Sequence, residues 1–243
     1  MKTKIYGHRG SKADYPENTM LGFEKALSYG VDGIEIDVHL TKDDEVVVIH
    51  DNTLDRTTGG TGAVRNHTLA EIRALQPDPA LRVPTLIELL TLLDGKPQEL
   101  YIEFKTSECN ESDTLFIEKQ TVKIVRTFGS DRKIIYSSFH LPTVLRIKQL
   151  EPKADIAWQL PKLLLPKPTD YIQTLNLEAL HVHKDVVLSN PKHFNEICGR
   201  LRVWTVNDPE EMVTLFRLGI GAIITDCPDV AIKCMDKHLK SLA

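Results

Sequence analysis

The amino-acid sequence predicts an α/β fold, a (β/α)8 TIM-type barrel with a small insertion after the second strand. Short apolar runs typical of strands alternate with segments of helical periodicity, and eight such strands can be counted. The 243 residues match the length of one such barrel. An open doubly wound sheet is the alternative, but no GxGxxG turn follows the first strand. We therefore expect residues 1–243 to form one domain.

Each element has a local reason in the sequence. Strict alternation in "GIEIDVHL" indicates a strand with two different faces, and the other strands are short apolar runs bounded by turn residues. We predict strands at Lys4–Tyr6, Gly33–Leu40, Leu100–Phe104, Lys133–Tyr136, Asp155–Trp158, Ala179–His183, Arg202–Val206 and Ala222–Thr225. We predict helices at Thr19–Tyr29, Thr85–Leu93, within Ser112–Phe128, and at Leu141–Leu150, Pro191–Cys198, Pro209–Leu218 and Val230–His238. Asn18 is the candidate cap of the first helix.

One stretch interrupts the alternation. An additional short strand, Val46–Ile49, leads into His50 and Asp51, and its periodicity fits either a barrel strand or a hairpin. Between residues 52 and 81 the pattern breaks into "TTGGTG" and a short helical patch at Leu69–Leu75. We interpret residues 52–81 as an insertion on a βα loop, too small to be a domain of its own.

Composition excludes several classes of protein. The net charge of −4 offers no basic surface for nucleic acid. No apolar run approaches the ~20 residues that span a bilayer, so we expect no stable membrane insertion. The chain begins without a signal-type apolar segment, and its four cysteines lack metal-type spacing. These features predict a cytoplasmic protein with reduced cysteines.

Polar residues recur at the predicted strand ends, which form the working face of a barrel. They are His8 and Arg9 after strand one, Glu35 and Asp37 in strand two, His50 and Asp51 after the extra strand, and Glu103 and Lys105 in "YIEFKT". Gly7 and Gly10 flank the first pair, which indicates a tight turn or the close approach of another group such as a phosphate. His181 and His183 share a strand face that could line the same mouth.

Three acidic side chains from different parts of the chain suit a hard divalent cation such as Mg²⁺ or Ca²⁺. Glu35 and Asp37 are two residues apart and share one face of their strand, where burial is costly without a counter-charge. Glu103 is the third. The alternative is structural: solvated acids on strand two, and an ion pair between Glu103 and Lys105. Trp204 fits either barrel packing or an apolar wall for a ligand.

Taken together, the motifs resemble the glycerophosphodiester phosphodiesterase family. "HRG" followed by "PENT", then "EID", "HD" with "LDRTTGGTG", "PTLIELL", "IEFK", "WTVND" and "ITDCPD" occur in the order typical of that family. The resemblance runs from about Ile5 to Asp229. It implies a (β/α)8 barrel related to phosphatidylinositol-specific phospholipases, with a small insertion.

The resemblance also implies roles for individual residues. The implied general acid and base are His8 and His50, the implied metal ligands are Glu35, Asp37 and Glu103, and the implied phosphate-binding residues are Arg9 and Lys105. Trp204 matches an aromatic residue of the substrate pocket, while Glu17 and Asn18 match a motif that borders the site.

The implied reaction is hydrolysis of a small-molecule glycerophosphodiester to sn-glycerol 3-phosphate and an alcohol. The sequence leaves open which histidine is the acid, and whether water or the glycerol 2-hydroxyl attacks phosphorus. Two other hypotheses are a toxin-type barrel that acts on larger lipids and an inactive barrel that serves as a binding module. Disulfides and an export signal would favour the first, and loss of a histidine or carboxylate would favour the second.

Overall fold

A closed parallel barrel forms the body of the protein, in a computed structural model that describes residues 2–105, 111–129 and 131–241. The strands are β1 (Lys4–His8), β2 (Gly33–Leu40), β3 (Val46–Val48), β4 (Glu99–Phe104), β5 (Ile134–Ser138), β6 (Asp155–Gln159), β7 (Ala179–His183), β8 (Leu201–Trp204) and β9 (Ala222–Thr225). Their order is β1-β9-β8-β7-β6-β5-β4-β2-β3, and pairing of β1 with β2 closes the barrel. The eight parallel strands are those that the sequence predicts.

Helices cover the outside of the barrel. They are α1 (Met20–Ser28), α2 (Leu69–Leu75), α3 (Leu86–Leu93), α4 (Glu111–Phe128), α5 (Leu141–Leu150), α6 (Pro168–Thr174), α7 (Lys184–Ser189), α8 (Pro209–Arg217) and α9 (Pro228–Lys240). Two 3₁₀ helices span Val64–Asn66 and Pro191–Arg200. Thr85 caps α3 in a reciprocal capping box with Glu88, and Pro168 begins α6 within a proline-rich segment.

The extra strand is a hairpin outside the barrel. β3 runs antiparallel to β2, with Val48 paired to Val38. The insertion then folds over β3 around a small apolar core of its own, made of Val47, Ile49, Leu54, Val64, Ile72 and Val83. The insertion therefore follows this hairpin and lies beside the carboxyl end of β2.

The barrel interior is apolar in its middle and polar toward the carboxyl ends of the strands. An apolar layer of Tyr6, Tyr101, Ile135, Ala157, Ala179, Ala222 and Ile224 fills its middle. The polar strand-end residues lie beyond this layer, toward the carboxyl ends of the strands. A rigid packed base thus supports the site.

Cysteines form no disulfide in the described part of the chain, where Cys198, Cys227 and Cys234 are free. Cys109 lies outside the described residues. None of the helices that the structure describes combines the length and the apolar character needed to cross a bilayer.

Candidate active site

Strand pairing gathers the predicted site residues at one mouth of the barrel. His8 ends β1 and is in register with Glu35 of β2, while Asp37 is in register with Glu103 of β4. Because side chains alternate along a strand, Glu35 and Asp37 share the inner face of β2. The three predicted metal ligands therefore come together through the register of two neighbouring strands.

Glu35, Asp37 and Glu103 form a compact buried cluster. One carboxylate oxygen from each lies within 4.8 Å of the others. Burial raises the pKa of Glu35 well above its usual value, and the charges of Asp37 and Glu103 add to the effect. Glu35 Oε2 is buried and has no hydrogen-bond partner among the described residues. Three oxygen donors, with an unsatisfied oxygen on Glu35, fit a hard divalent cation.

Two cations lie against this acidic cluster. Arg9 Nε is 3.3 Å from Asp37 Oδ2, and Lys105 Nζ is 3.1 Å from Asp37 Oδ1 and also contacts Glu103. Although burial opposes it, Lys105 and Arg9 hold the pKa of Asp37 below its usual range. Burial likewise opposes the charge of Lys105, but Asp37 and Glu103 raise its pKa. Both cations stay charged beside the mouth, as phosphate binding requires.

An aspartate that the sequence analysis did not single out holds His8. His8 Nδ1 lies 2.5 Å from Asp226 Oδ1, and Asp226 Oδ2 accepts a hydrogen bond from Asn207 at 2.8 Å. This contact leaves His8 Nε2 on the side of Glu35, 4.0 Å from its Oε2. Burial lowers the pKa of His8, and Asp226 opposes that shift. Asp226 follows β9 in "ITDCPD", and its position after a strand was the available signal.

A second aspartate holds the other histidine. His50 Nδ1 lies 2.6 Å from Asp51 Oδ1, and Arg56 donates to both oxygens of Asp51 at 2.7 and 2.9 Å. A ring nitrogen of His39 lies 3.0 Å from the backbone oxygen of His50. Burial lowers the pKa of His50. Each predicted catalytic histidine thus has one ring nitrogen fixed by a carboxylate.

Most of the predicted residues line one cavity of about 240 Å³. Its lining contains His8, Arg9, Glu35, His50, Glu103, Lys105 and Trp204, together with Phe139, Gln159, Thr205 and Ile224, which the sequence analysis did not single out. Asp37 is fully buried against the two cations, and Glu17 and Asn18 line a neighbouring cavity. Gln159 donates to Glu103 Oε2 at 3.0 Å and comes from the last position of β6, one residue beyond the predicted strand.

The glycines beside His8 and Arg9 form the tight turn that was one of the two expectations, and protein backbone approaches them closely. A Cβ on Gly7 would lie 2.6 Å from the carbonyl oxygen of Gly10. Gly10 has a φ of 93°, and a Cβ there would lie 2.7 Å from the backbone of Gly22 in α1. The close neighbour of this turn is therefore α1.

Asn18 is not the cap of α1, so that prediction is wrong. Thr19 is the N-cap, and its Oγ1 accepts a hydrogen bond from the backbone of Gly22 at 3.1 Å. Asn18 turns the chain in the left-handed region, with a φ of 53°, whereas an N-cap needs an extended backbone. Its side-chain amide instead donates to Asp37 Oδ2 at 3.0 Å.

The two histidines of β7 do not line the 240 Å³ cavity, which corrects the expectation for this strand. His181 is fully buried, with its ring centroid 5.0 Å from that of Tyr101, and burial lowers its pKa to about 3. His183 packs edge-on against Trp204, with ring centroids 5.1 Å apart. His181 is therefore a neutral core residue at ordinary pH.

Arg56, which lies in the insertion, contacts both Asp51 beside His50 and Glu17 beside Arg9. It donates to Glu17 at 2.7 and 2.8 Å in addition to its contacts with Asp51, and Glu17 accepts a further hydrogen bond from Arg9 at 2.9 Å. Although burial opposes it, Arg56 and Arg9 lower the pKa of Glu17 to about 2. Glu17 thus holds Arg9 in place, and Arg56 ties that pair to the carboxylate behind His50.

We expect Arg56→Gln to lower the free energy of unfolding at pH 7, by an amount that shrinks in acid. The pKa of Glu17 is about 2 in the folded chain against an ordinary value of 4.5. Its ion pairs therefore stabilise the fold above about pH 4.5, and this contribution is lost as the pH falls toward 2. Urea unfolding between pH 7 and pH 3 measures the difference. The exposed Arg217→Gln is the control, and a difference for Arg56→Gln that does not vary with pH would contradict the assignment.

The barrel and its mouth define a class of protein, a phosphoric diester hydrolase of the (β/α)8 type. The chain matches the glycerophosphoryl diester phosphodiesterase family over residues 8–230, and it belongs to that family.

Relatives and solved structures agree with this assignment. The chain is 34% identical to a glycerophosphodiester phosphodiesterase of Caldanaerobacter subterraneus subsp. tengcongensis, over 98% of this chain and 99% of that protein. A glycerophosphodiester phosphodiesterase from Parabacteroides distasonis is similar in structure with a TM-score of 0.84, at 27% identity over 98% of each chain. An Oleispira antarctica phosphodiesterase, solved with the product sn-glycerol-3-phosphate, shares the fold with a TM-score of 0.83, at 24% identity over 97% of each chain.

Proposed function

We propose that this chain hydrolyses glycerophosphodiesters, such as glycerophosphocholine or glycerophosphoethanolamine, in a metal-dependent reaction that yields sn-glycerol 3-phosphate and an alcohol. The observation that carries the proposal is the 240 Å³ cavity, where carboxylates, cations and two aspartate-bound histidines converge. Family membership supports the reaction class. The Oleispira antarctica enzyme, which binds sn-glycerol-3-phosphate, supports the product.

Glu35, Asp37 and Glu103 would hold the metal, Mg²⁺ or Ca²⁺. A divalent cation, when bound, supplies positive charge to the phosphoryl oxygens. The charge balance of the inner cluster supports the need for this metal, because among the described residues three carboxylates face two cations, Arg9 and Lys105. Without further positive charge this cluster would repel an anionic diester.

Arg9 and Lys105 would hold the phosphate. The planar guanidinium of Arg9 can bind two phosphate oxygens at once, and the ammonium of Lys105 adds a point charge. Glu17 accepts a hydrogen bond from one terminal nitrogen of Arg9, which fixes the plane of the guanidinium. Both side chains therefore neutralise charge that grows on the non-bridging oxygens during attack.

His8 and His50 would transfer the protons, one as general base and the other as general acid. Burial lowers the pKa of both, which favours the neutral form that accepts a proton. An anionic diester bound beside them favours protonation, so binding can charge one of the two rings. Asp226 and Asp51 would keep each ring oriented and stabilise its protonated form.

The proposal extends to the whole chain. We propose that residues 1–243, with the insertion at 52–81, act as one catalytic domain in the cytoplasm. The family match over 8–230 supports the first part, and the free thiols of Cys198, Cys227 and Cys234 support a reducing compartment.

Release of sn-glycerol 3-phosphate from glycerophosphocholine tests the function. We expect product with Mg²⁺ or Ca²⁺, loss of at least about 100-fold in rate with excess chelator, and recovery when the metal is restored. Full activity in chelator would overturn metal dependence. Absence of product from every glycerophosphodiester, with either metal, would overturn the function itself. Lysophosphatidylcholine and sphingomyelin serve as controls for the larger-lipid hypothesis.

A further inference from the structure

A second cavity adjoins the catalytic one. It has a volume of about 360 Å³ and lies between the loop that follows β1 and the insertion. His50 lines both cavities, so they meet at a predicted catalytic ring. What the second cavity binds follows from how a diester would lie in the first, and the argument rests on the function proposed above.

Two buried polar atoms on one wall of the catalytic cavity have no hydrogen-bond partner among the described residues. They are Gln159 Oε1, on a side chain that is 4% exposed, and Trp204 Nε1. Buried polar atoms in proteins are nearly always paired, and an acceptor with a donor matches the hydroxyls of glycerol. The wall formed by the ends of β6 and β8 is therefore suited to the glycerol half of the substrate.

The alcohol half of the bound substrate must then extend from the phosphate in another direction. The two ester oxygens of a phosphodiester lie at different corners of a tetrahedral phosphorus, so glycerol and alcohol diverge from the phosphate. With glycerol against Gln159 and Trp204, the route past His50 leads into the second cavity. His50 is also placed where it can exchange a proton with an ester oxygen on that side.

The charge of the second cavity restricts which alcohol it can hold. Lys12 and Arg56 line it, and Glu17 is the one acidic side chain among its described lining residues. Glu17 is already paired with Arg9 at 2.9 Å, with Arg56 at 2.7 Å and with Lys12 at 3.8 Å. Among the described lining residues no carboxylate is therefore left over for a quaternary ammonium group. Arg56 is also paired with Asp51, so Lys12, whose contacts with Glu17 and Asp226 are long at 3.8 and 4.0 Å, is the cation that would repel one.

The other lining groups suit hydroxyls. Asn18 Oδ1 is buried and has no hydrogen-bond partner among the described residues, and the side chain is 3% exposed. Thr57 and Gln76 add further polar atoms to the lining. Among the described lining residues Tyr15 is the one Phe, Tyr or Trp, and Lys25 already lies over its ring at 5.5 Å, so these residues form no aromatic cage for a cationic head group.

We propose that the 360 Å³ cavity is the subsite for the alcohol half of the substrate, and that it selects neutral or anionic polyols over cationic amino alcohols. Glycerophosphoinositol should therefore be a better substrate than glycerophosphocholine. The selectivity comes mainly from Lys12, because Arg56 is held by short ion pairs with Glu17 and Asp51 whereas the ion pairs of Lys12 are long.

The test compares kcat/KM for these two substrates in three proteins. For the wild type, the ratio should favour glycerophosphoinositol at least about fivefold. Lys12→Glu reverses one charge of the cavity and should shift the ratio at least about tenfold toward glycerophosphocholine, because it turns repulsion of the ammonium into attraction. Lys237→Glu, an exposed change of equal charge on α9, should leave the ratio unchanged. The ratio of the two kcat/KM values cancels any effect of the substitution on the chemical step that is equal for both substrates. This matters because Lys12 also lies 4.0 Å from Asp226, which holds His8.

The outcomes separate this subsite from the function. If Lys12→Glu keeps the wild-type ratio within about twofold, or if the wild type prefers glycerophosphocholine, the subsite assignment is overturned. Should neither substrate be hydrolysed by the wild type with metal present, the proposed function fails and the subsite with it. Lys12→Met provides the same test with a smaller shift if the glutamate variant does not fold.

Discussion

Alanine in place of either His8 or His50 is expected to lower kcat for glycerophosphodiester hydrolysis at least about 100-fold, the lower end for general acid–base catalysis. Each ring has one nitrogen bound by an aspartate, Asp226 or Asp51, which leaves the other nitrogen for the substrate. Removal of a ring leaves that proton transfer to water. The loss should therefore appear in kcat, with a smaller change in KM, because Arg9, Lys105 and the acidic cluster still bind the phosphate.

Steady-state rates of sn-glycerol 3-phosphate release, at saturating metal, measure this effect. His238→Ala is the matched control: His238 lies in α9 and packs on Phe216 of α8, so this variant should retain wild-type activity. Rates within a few fold of wild type in both site variants would show that the histidines are not the acid and base. If only one of the two variants loses activity, the second proton transfer must be made by a group other than the remaining histidine.

Replacing Glu35 with glutamine is expected to abolish the stabilisation of the fold by metal. Three carboxylates within 4.8 Å repel one another when no metal ion is bound, and Glu35 Oε2 is buried without a hydrogen-bond partner among the described residues. The neutral amide removes part of that repulsion but also one charged ligand. The variant should therefore be at least as stable as wild type in chelator and gain little from added metal.

Thermal unfolding with chelator, Mg²⁺ or Ca²⁺ measures both effects. A ligand present at 100 times its Kd stabilises the native state by about 2.7 kcal/mol, so the wild-type Tm should rise with metal. The exposed Glu24→Gln in α1 is the control and should respond to metal like wild type. An equal rise in Tm for Glu35→Gln would contradict the assignment of Glu35 as a ligand, and loss of hydrolysis should accompany loss of the rise.

Local sequence patterns were informative about the barrel because each element carries its own signal. Apolar runs predicted all eight parallel strands, and the family resemblance is confirmed by the match over residues 8–230. The boundaries differ where tertiary contacts extend an element: β1 continues to His8 because it pairs with Glu35. The short helices α6 and α7 were not predicted, since few residues and a proline-rich segment leave little periodicity to detect.

Site residues were predictable when they lay at strand ends in a recognisable order. The structure brings His8, His50 and the three acids together, although their catalytic and metal-binding roles stay predictions. Asn18 was misjudged, because its left-handed backbone depends on the fold of the loop around it.

The sequence by itself determined which residue types stand at the barrel mouth, because strand periodicity and strand order place them there. Only the tertiary structure decided how they are paired. Asp226 reaches His8 across 218 positions of chain because β9 closes against β1, and Arg56 reaches Glu17 because the insertion folds back over the β1–α1 loop. Such contacts depend on barrel closure and loop packing, which no local pattern encodes. The glycines around His8 and Arg9 show the same division, since the carbonyl of Gly10 leaves no room for a Cβ on Gly7 and the backbone of α1 leaves none on Gly10.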